Sequence, residues 1–132
     1  MINGIINVYK ERGFTSFDVV AKLRGILHER KIGHTGTLDP EATGVLPVCI
    51  GNATKVCELL TDKDKVYRTV MHLGITTDTQ DMTGTVKEDR SREAALLKEQ
   101  TVEAAILQFV GDYEQIPPMY SCLLYTSDAA DD

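Results

Sequence analysis

No apolar run in this sequence approaches the roughly 18 residues that cross a bilayer, so a membrane-spanning helix is excluded. Residues 1–11 carry a short apolar patch but no basic stretch ahead of it, so they do not read as a secretory signal. Cysteine is scarce: Cys49, Cys57 and Cys122 are an odd number with no CxxC pair. That fits a reducing cytoplasm better than a disulfide framework, with the cysteines read as small buried hydrophobes. Ligand spacing for a metal is absent too. His28, His34 and His72 have no nearby Cys or carboxylate partner, and Asp78 and Asp81 are three apart where a calcium loop starts with two. No Ser/His/Asp or Cys/His constellation, internal repeat or low-complexity tract stands out. Basic residues are outnumbered 14 to 20, which argues against a generic, charge-driven nucleic-acid binder.

What is present is one domain's worth of ordinary globular sequence: 132 residues, 42% hydrophobic and 26% charged. The net charge of −6 is unevenly spread. Residues 1–68 hold ten basic and eight acidic side chains, whereas residues 69–132 hold four and twelve. The first half can therefore present a basic surface although the mean is acidic.

Periodicity gives an α/β-mixed order. Residues 2–8 are apolar and β-branched and predict a strand, closed by a turn at Gly13. Thr15 or Ser16 caps a helix, with Asp18 three after Thr15 as in a capping box. Val19, Val20, Leu23, Ile26 and Leu27 then follow at helical spacing to about Glu29. Residues 31–44 have neither helical nor strand period and read as a structured loop with Gly33, Gly36 and Gly44. Residues 45–50, between Gly44 and Gly51, form a buried strand or a pocket wall, and Asn52 or Thr54 caps a short helix after them. Residues 66–73 alternate as a strand that turns Tyr67 inward with Thr69, Met71 and Leu73. A polar loop (74–84), a return strand (85–87), a helix capped by Thr101 and closed by Gly111, and a strand from Met119 complete the reading.

The glycine loop admits several chemistries. Gly33-His34-Thr35-Gly36 fits the short GXXG pattern of a KH module, but Leu38-Asp39-Pro40 intervenes where that module starts its next helix. Residues 51–55 do not reproduce a phosphate-binding P-loop. The third reading is an active-site loop that presents Asp39. Taken alone, an Asp before Pro is ordinarily a turn residue.

The identity of the loop residues goes further. The run GHTGTLDPEATGVLPVCIGNATK (33–55) resembles the catalytic motif of the TruB family of tRNA pseudouridine synthases. Three further stretches agree in order: GIINVYK (4–10) with GFTS (13–16); KVY (65–67) with LG (73–74) and TDTQDMTG (77–84); and QIPPMYS (115–121). The resemblance spans residues 2–121. It implies an α+β fold, a mixed and mostly antiparallel sheet flanked by helices. The implied activity is a cofactor-free, metal-free isomerisation of the T-loop uridine at position 55 of tRNA to pseudouridine. The base is flipped out, detached at N1, turned and rejoined through C5. Asp39 matches the family's catalytic aspartate, which attacks C1′, attacks C6 or acts as a base at C2′. Tyr67 matches the tyrosine stacked on the flipped base, and His34 the histidine beside the vacated position. Gly33 and Gly36 would let backbone approach RNA closely. Lys10, Lys55 and Lys65 are candidate phosphate contacts, and Thr37 lies on the same loop.

The resemblance implies a stand-alone bacterial type, monomeric at full length and cytoplasmic, with the tRNA T-stem-loop as its partner. The related branch that works with guide RNA and protein partners fits less well. After Ser121 the pattern breaks. Residues 122–132 lack the family's Lys-x-x-Gly-x-x-Leu-Tyr segment and read as a foreign or frameshifted tail. The expectation is a domain of residues 1–121 holding the first part of the catalytic fold. It would lack the later arginine that pairs with the aspartate and the C-terminal RNA-binding domain, and so be inactive alone. The runner-up is a non-catalytic RNA-binding fragment, KH-like or TruB-derived.

Overall fold

A computed structural model of the chain describes residues 2–118. The predicted strand from Met119 and the tail lie outside the described residues. The chain divides into two compact units, Met1–Tyr67 and Arg68–Asp132.

The first unit is a three-stranded antiparallel sheet with a helix on one face. Strand β1 (Gly4–Lys10), helix α1 (Ser16–Leu27), strand β2 (Ile32–His34) and strand β3 (Gly44–Ile50) are followed by a 3-10 helix (Gly51–Val56) and helix α2 (Cys57–Thr61). The sheet order is β1-β3-β2, with Gly4 opposite Ile50, Lys10 opposite Gly44, and His34 opposite Val48. The glycine-bounded apolar run is thus the central strand. Alternation along it places Leu46, Val48 and Ile50 on one face, where they form the core with Val19, Val20 and Ile32. Burial of each such side chain stabilises by roughly 1.5–3 kcal/mol. Val8, Leu23, Leu27 and Leu38 pack around the margin.

Local chemistry explains the ends of these elements. The hydroxyl of Thr15 accepts from the Asp18 amide at 3.0 Å, and the Asp18 carboxylate accepts from the Thr15 amide at 2.8 Å. This is the anticipated capping box, with Thr15 as the cap. The Thr15 amide foremost, then the Thr15 hydroxyl, hold the Asp18 carboxyl below its ordinary value of 3.8. The helix stops at Leu27, short of Glu29, because His28 turns left-handed at φ 52°. Strand β2 has only three residues, and the cause lies across the ladder at Pro47. Its carbonyl points to that side and accepts from the Thr35 amide at 3.1 Å and the Thr35 hydroxyl at 3.0 Å. A proline has no N–H to continue the ladder, so the chain leaves the sheet at Thr35. Gly51 ends β3 at φ +61°; a side chain there would meet the Ile2 carbonyl oxygen at 2.4 Å. The helix expected from an Asn52 or Thr54 cap begins instead as the 3-10 turn at Gly51, without a side-chain cap.

The second unit holds an antiparallel pair, β4 (Ile75–Thr77) and β5 (Val86–Asp89), then α3 (Ser91–Ala94) and α4 (Glu99–Leu107). The strand predicted over residues 66–73 is not formed. Those residues have no strand beside them among the described residues, so alternation finds no ladder to join. Pairing begins at Ile75, inside the predicted loop. Helix α4 starts at Glu99, ahead of Thr101, and Gly111 (φ +100°) follows four residues after its end. The four-residue α3 has no counterpart in the sequence reading. An open cleft of about 510 Å³ lies here, lined by Leu73, Leu97, Val102 and Ile106 among others. The family-like TDTQDMTG loop is organised internally. Asp81 accepts from the Thr83 amide and the Thr79 hydroxyl, both at 2.8 Å, and from the Thr83 hydroxyl. These bonds, Thr83 foremost, hold its carboxyl below the usual 3.8. Among the described residues no helix is long and apolar enough to cross a membrane.

Candidate active site

The loop between β2 and β3 carries Asp39, and its backbone is fixed on both sides of that residue. On one side, the Leu38 amide donates to the Ser16 hydroxyl at 2.9 Å, and that hydroxyl lies 3.4 Å from the Leu38 carbonyl. On the other, the Pro40 carbonyl accepts from the Gly13 amide at 2.7 Å and from Lys10 Nζ at 3.4 Å. Asp39 itself opens a turn, its carbonyl accepting from the Ala42 amide at 2.9 Å. Arg12 Nε also donates to the Glu41 carboxylate at 2.6 Å, in an exposed ion pair. The Asp39 side chain is exposed. The backbone that presents Asp39 is thus held one residue before and one after, with the carboxylate itself open to solvent.

Lys10 requires a correction. It was expected to reach phosphate, but it is 0% exposed. Its ammonium donates to the carbonyls of Phe14 at 2.7 Å, Glu11 at 3.1 Å and Pro40 at 3.4 Å. Three carbonyl dipoles replace water around a buried cation and consume all three of its protons. Lys10 therefore joins the turn after β1 to the Asp39 loop. Ser16, read from sequence only as an alternative cap, has the same tying role; a buried hydroxyl at the foot of a helix carries no sequence signal for a partner 22 residues away.

Gly33 and Gly36 each have one side chain of the same chain beside them. The space a Gly33 side chain would fill lies 3.4 Å from Cys57 Sγ, and that of Gly36 lies 3.5 Å from Lys65 Cε. Both are ordinary van der Waals separations, and both glycines stay part-exposed. His34 stands at the end of β2, its Nδ1 donating to the Gly36 carbonyl at 2.7 Å. A carbonyl can only accept, so Nδ1 bears a proton. Thr37 is exposed between Gly36 and Leu38. Lys65 lays its stem against Gly36 and donates to the carbonyls of Thr61 and Lys63. Lys55, in the 3-10 helix, is exposed. Tyr67 is not the inward strand residue expected; it is 66% exposed, because the strand that would have turned it inward is absent. His34, Gly36, Thr37 and Asp39 thus lie along the one segment between β2 and β3, with the Lys65 stem beside Gly36. Among the described residues no group of three or more His, Cys, Asp or Glu is placed to hold a metal ion.

The chain aligns over 92% of its length with a solved structure titled "Crystal Structure of a Cbf5-Nop10-Gar1 Complex", at TM-score 0.59 and 29% identity, covering 31% of that chain. The model described as TruB family pseudouridylate synthase (N terminal domain) matches residues 24–130. The chain belongs to this family. It is 66% identical over 122 residues to tRNA pseudouridine synthase B of Lachnoclostridium phytofermentans, and 52% identical over 123 residues to that of Bacillus pumilus. These alignments take in 92% and 93% of this chain but only 39% and 40% of the relatives.

Proposed function

We propose that this chain carries the catalytic aspartate of an enzyme that converts uridine to pseudouridine at T-loop position 55 of tRNA, in the cytoplasm and without a cofactor. The observation that carries this reading is the exposed Asp39 carboxylate on a backbone tied at Leu38 and Pro40. An isomerisation that breaks and remakes one glycosidic bond needs a single positioned carboxylate near C1′ and C6. Asp39 supplies it, by attack at C1′ or C6 or as a base at C2′. The target base must leave its stack, at a cost of a few kcal/mol. The exposed ring of Tyr67 offers a surface on which the extruded base stacks, and His34 offers its Nε2 beside the vacated place. Thr37 and the Gly33–Gly36 turn contact the ribose-phosphate chain, and Lys55 and Lys65 neutralise phosphate.

The chain spans about 40% of the relatives it matches, and we assign the remaining pocket wall and the arginine partner of Asp39 to the portion of those relatives it does not cover. The isolated 132-residue chain is accordingly inactive. The test is a chimera in which residues 1–121 replace the matching part of the Bacillus pumilus enzyme, assayed on a T-stem-loop RNA. The chimera is expected to form pseudouridine, and the isolated chain is not. Turnover by the isolated chain would refute the need for the missing portion, and turnover in an Asp39→Asn chimera would refute the assignment of Asp39.

A further inference from the structure

Two of the cysteines, unused by the proposed chemistry, meet on the sheet face opposite the core. Cys49 lies on β3 directly opposite Gly33 of β2. Cross-strand neighbours of this kind place their side-chain positions about 4.5–5.5 Å apart on one face. Gly33 has no side chain, and Cys57 Sγ stands beside it, 3.4 Å from where its Cβ would be. The Cys57 sulfur thus lies over Gly33 on the face that carries Cys49. Cys49 is sealed from solvent and Cys57 is half-buried, so the pair has one accessible member and one hidden member. Burial first, then the hydrogen bond and charge of Cys57, push the Cys49 thiol up to about 11.

We propose that Cys49 and Cys57 form a reversible, peroxide-oxidised dithiol site. Peroxide reaches Cys57, whose thiolate takes one oxygen to become a sulfenic acid and releases hydroxide. Cys49 sulfur then attacks the Cys57 sulfur, the S–S bond forms and the hydroxyl leaves, taking up the Cys49 proton as water. Two thiols lose two electrons, and one peroxide is reduced to two waters. The bridge joins β3 to the start of α2 across the 3-10 helix, one residue from His34 in the neighbouring strand.

The experiment uses the full chain with Cys122→Ser, so that only this pair is titrated. One equivalent of hydrogen peroxide is expected to remove both thiols together, measured by alkylation after denaturation, and to lower the intact mass by about 2 Da. Trypsin should then release residues 32–55 joined to residues 56–63, and dithiothreitol should restore both thiols. Cysteines this close in sequence can also pair in an unfolded chain, so the reaction is repeated in concentrated urea. The folded chain is expected to close the bridge at least about tenfold faster, as held groups do. In Cys57→Ser the mass loss should vanish and Cys49 should stay alkylatable. Oxygen added to Cys57 with Cys49 still alkylatable, a bridge between two chains, or equal rates with and without urea would each overturn the proposal.

Discussion

The two units of the chain use their apolar residues differently. In Met1–Tyr67, six aliphatic side chains close a core between α1 and β3, and three polar residues, Lys10, Ser16 and Thr35, are buried with every polar atom partnered. In the second unit no described residue is buried. Its strands, turns and helices rest on local bonds such as those around Asp81 and Asp89. The difference shows what a fixed site requires. A loop can be pinned on both sides of Asp39 only where a neighbouring core holds the residues that pin it. Hydrogen bonds within a loop, as in residues 77–84, give a shape but no anchorage.

The sharpest way to break this comparison is in the core. Leu46→Ala, at a residue 2% exposed, should cost about 2–5 kcal/mol, read as a lowered urea midpoint for amides of the first unit. Lys10→Met keeps the volume but strips partners from the Glu11 and Phe14 carbonyls. A loss of about 1–3 kcal/mol is expected, with faster amide exchange at Gly13 and Ala42. Unchanged exchange there would separate Lys10 from the Asp39 loop. Thr15→Ala should cost about 1 kcal/mol by removing the α1 cap. Leu96→Ala, at a residue 84% exposed in the second unit, should shift stability by less than about 0.5 kcal/mol; a larger loss would show burial that the comparison denies.

Acid sharpens the same contrast. The folded carboxyls of Asp18 and Asp81 lie below 3.8, so each contributes stability above its unfolded value. That contribution is lost as pH falls through the depressed folded value. Asp18→Asn should flatten the acid limb below about pH 4 for α1 amides, and Asp81→Asn should do so only for the loop around it. Amide exchange followed against pH distinguishes the two.

Sequence legibility followed the same boundary. The Thr15–Asp18 box announces itself by local chemistry and is in place, and the glycine-bounded run 45–50, open between a strand and a pocket wall, is a strand over Gly44–Ile50. The family resemblance located the loop of Asp39 because residue identity there is specific. Periodicity misread residues 66–73, since alternation reports which side chains suit a strand and not whether a partner strand lies beside it. Nor could it show that Lys10 is buried, because a lysine in a strand looks the same in sequence whether carbonyls or water surround it.

The central claim is that the pinned Asp39 acts on the bond and does not hold the RNA. In the chimera with residues 1–121, single-turnover pseudouridine formation and T-stem-loop affinity should be measured together for Asp39→Asn. The prediction is a rate lowered at least about a thousandfold, with Kd unchanged to within about threefold. A retained rate, or a rate loss matched by an equal loss of binding, would contradict it.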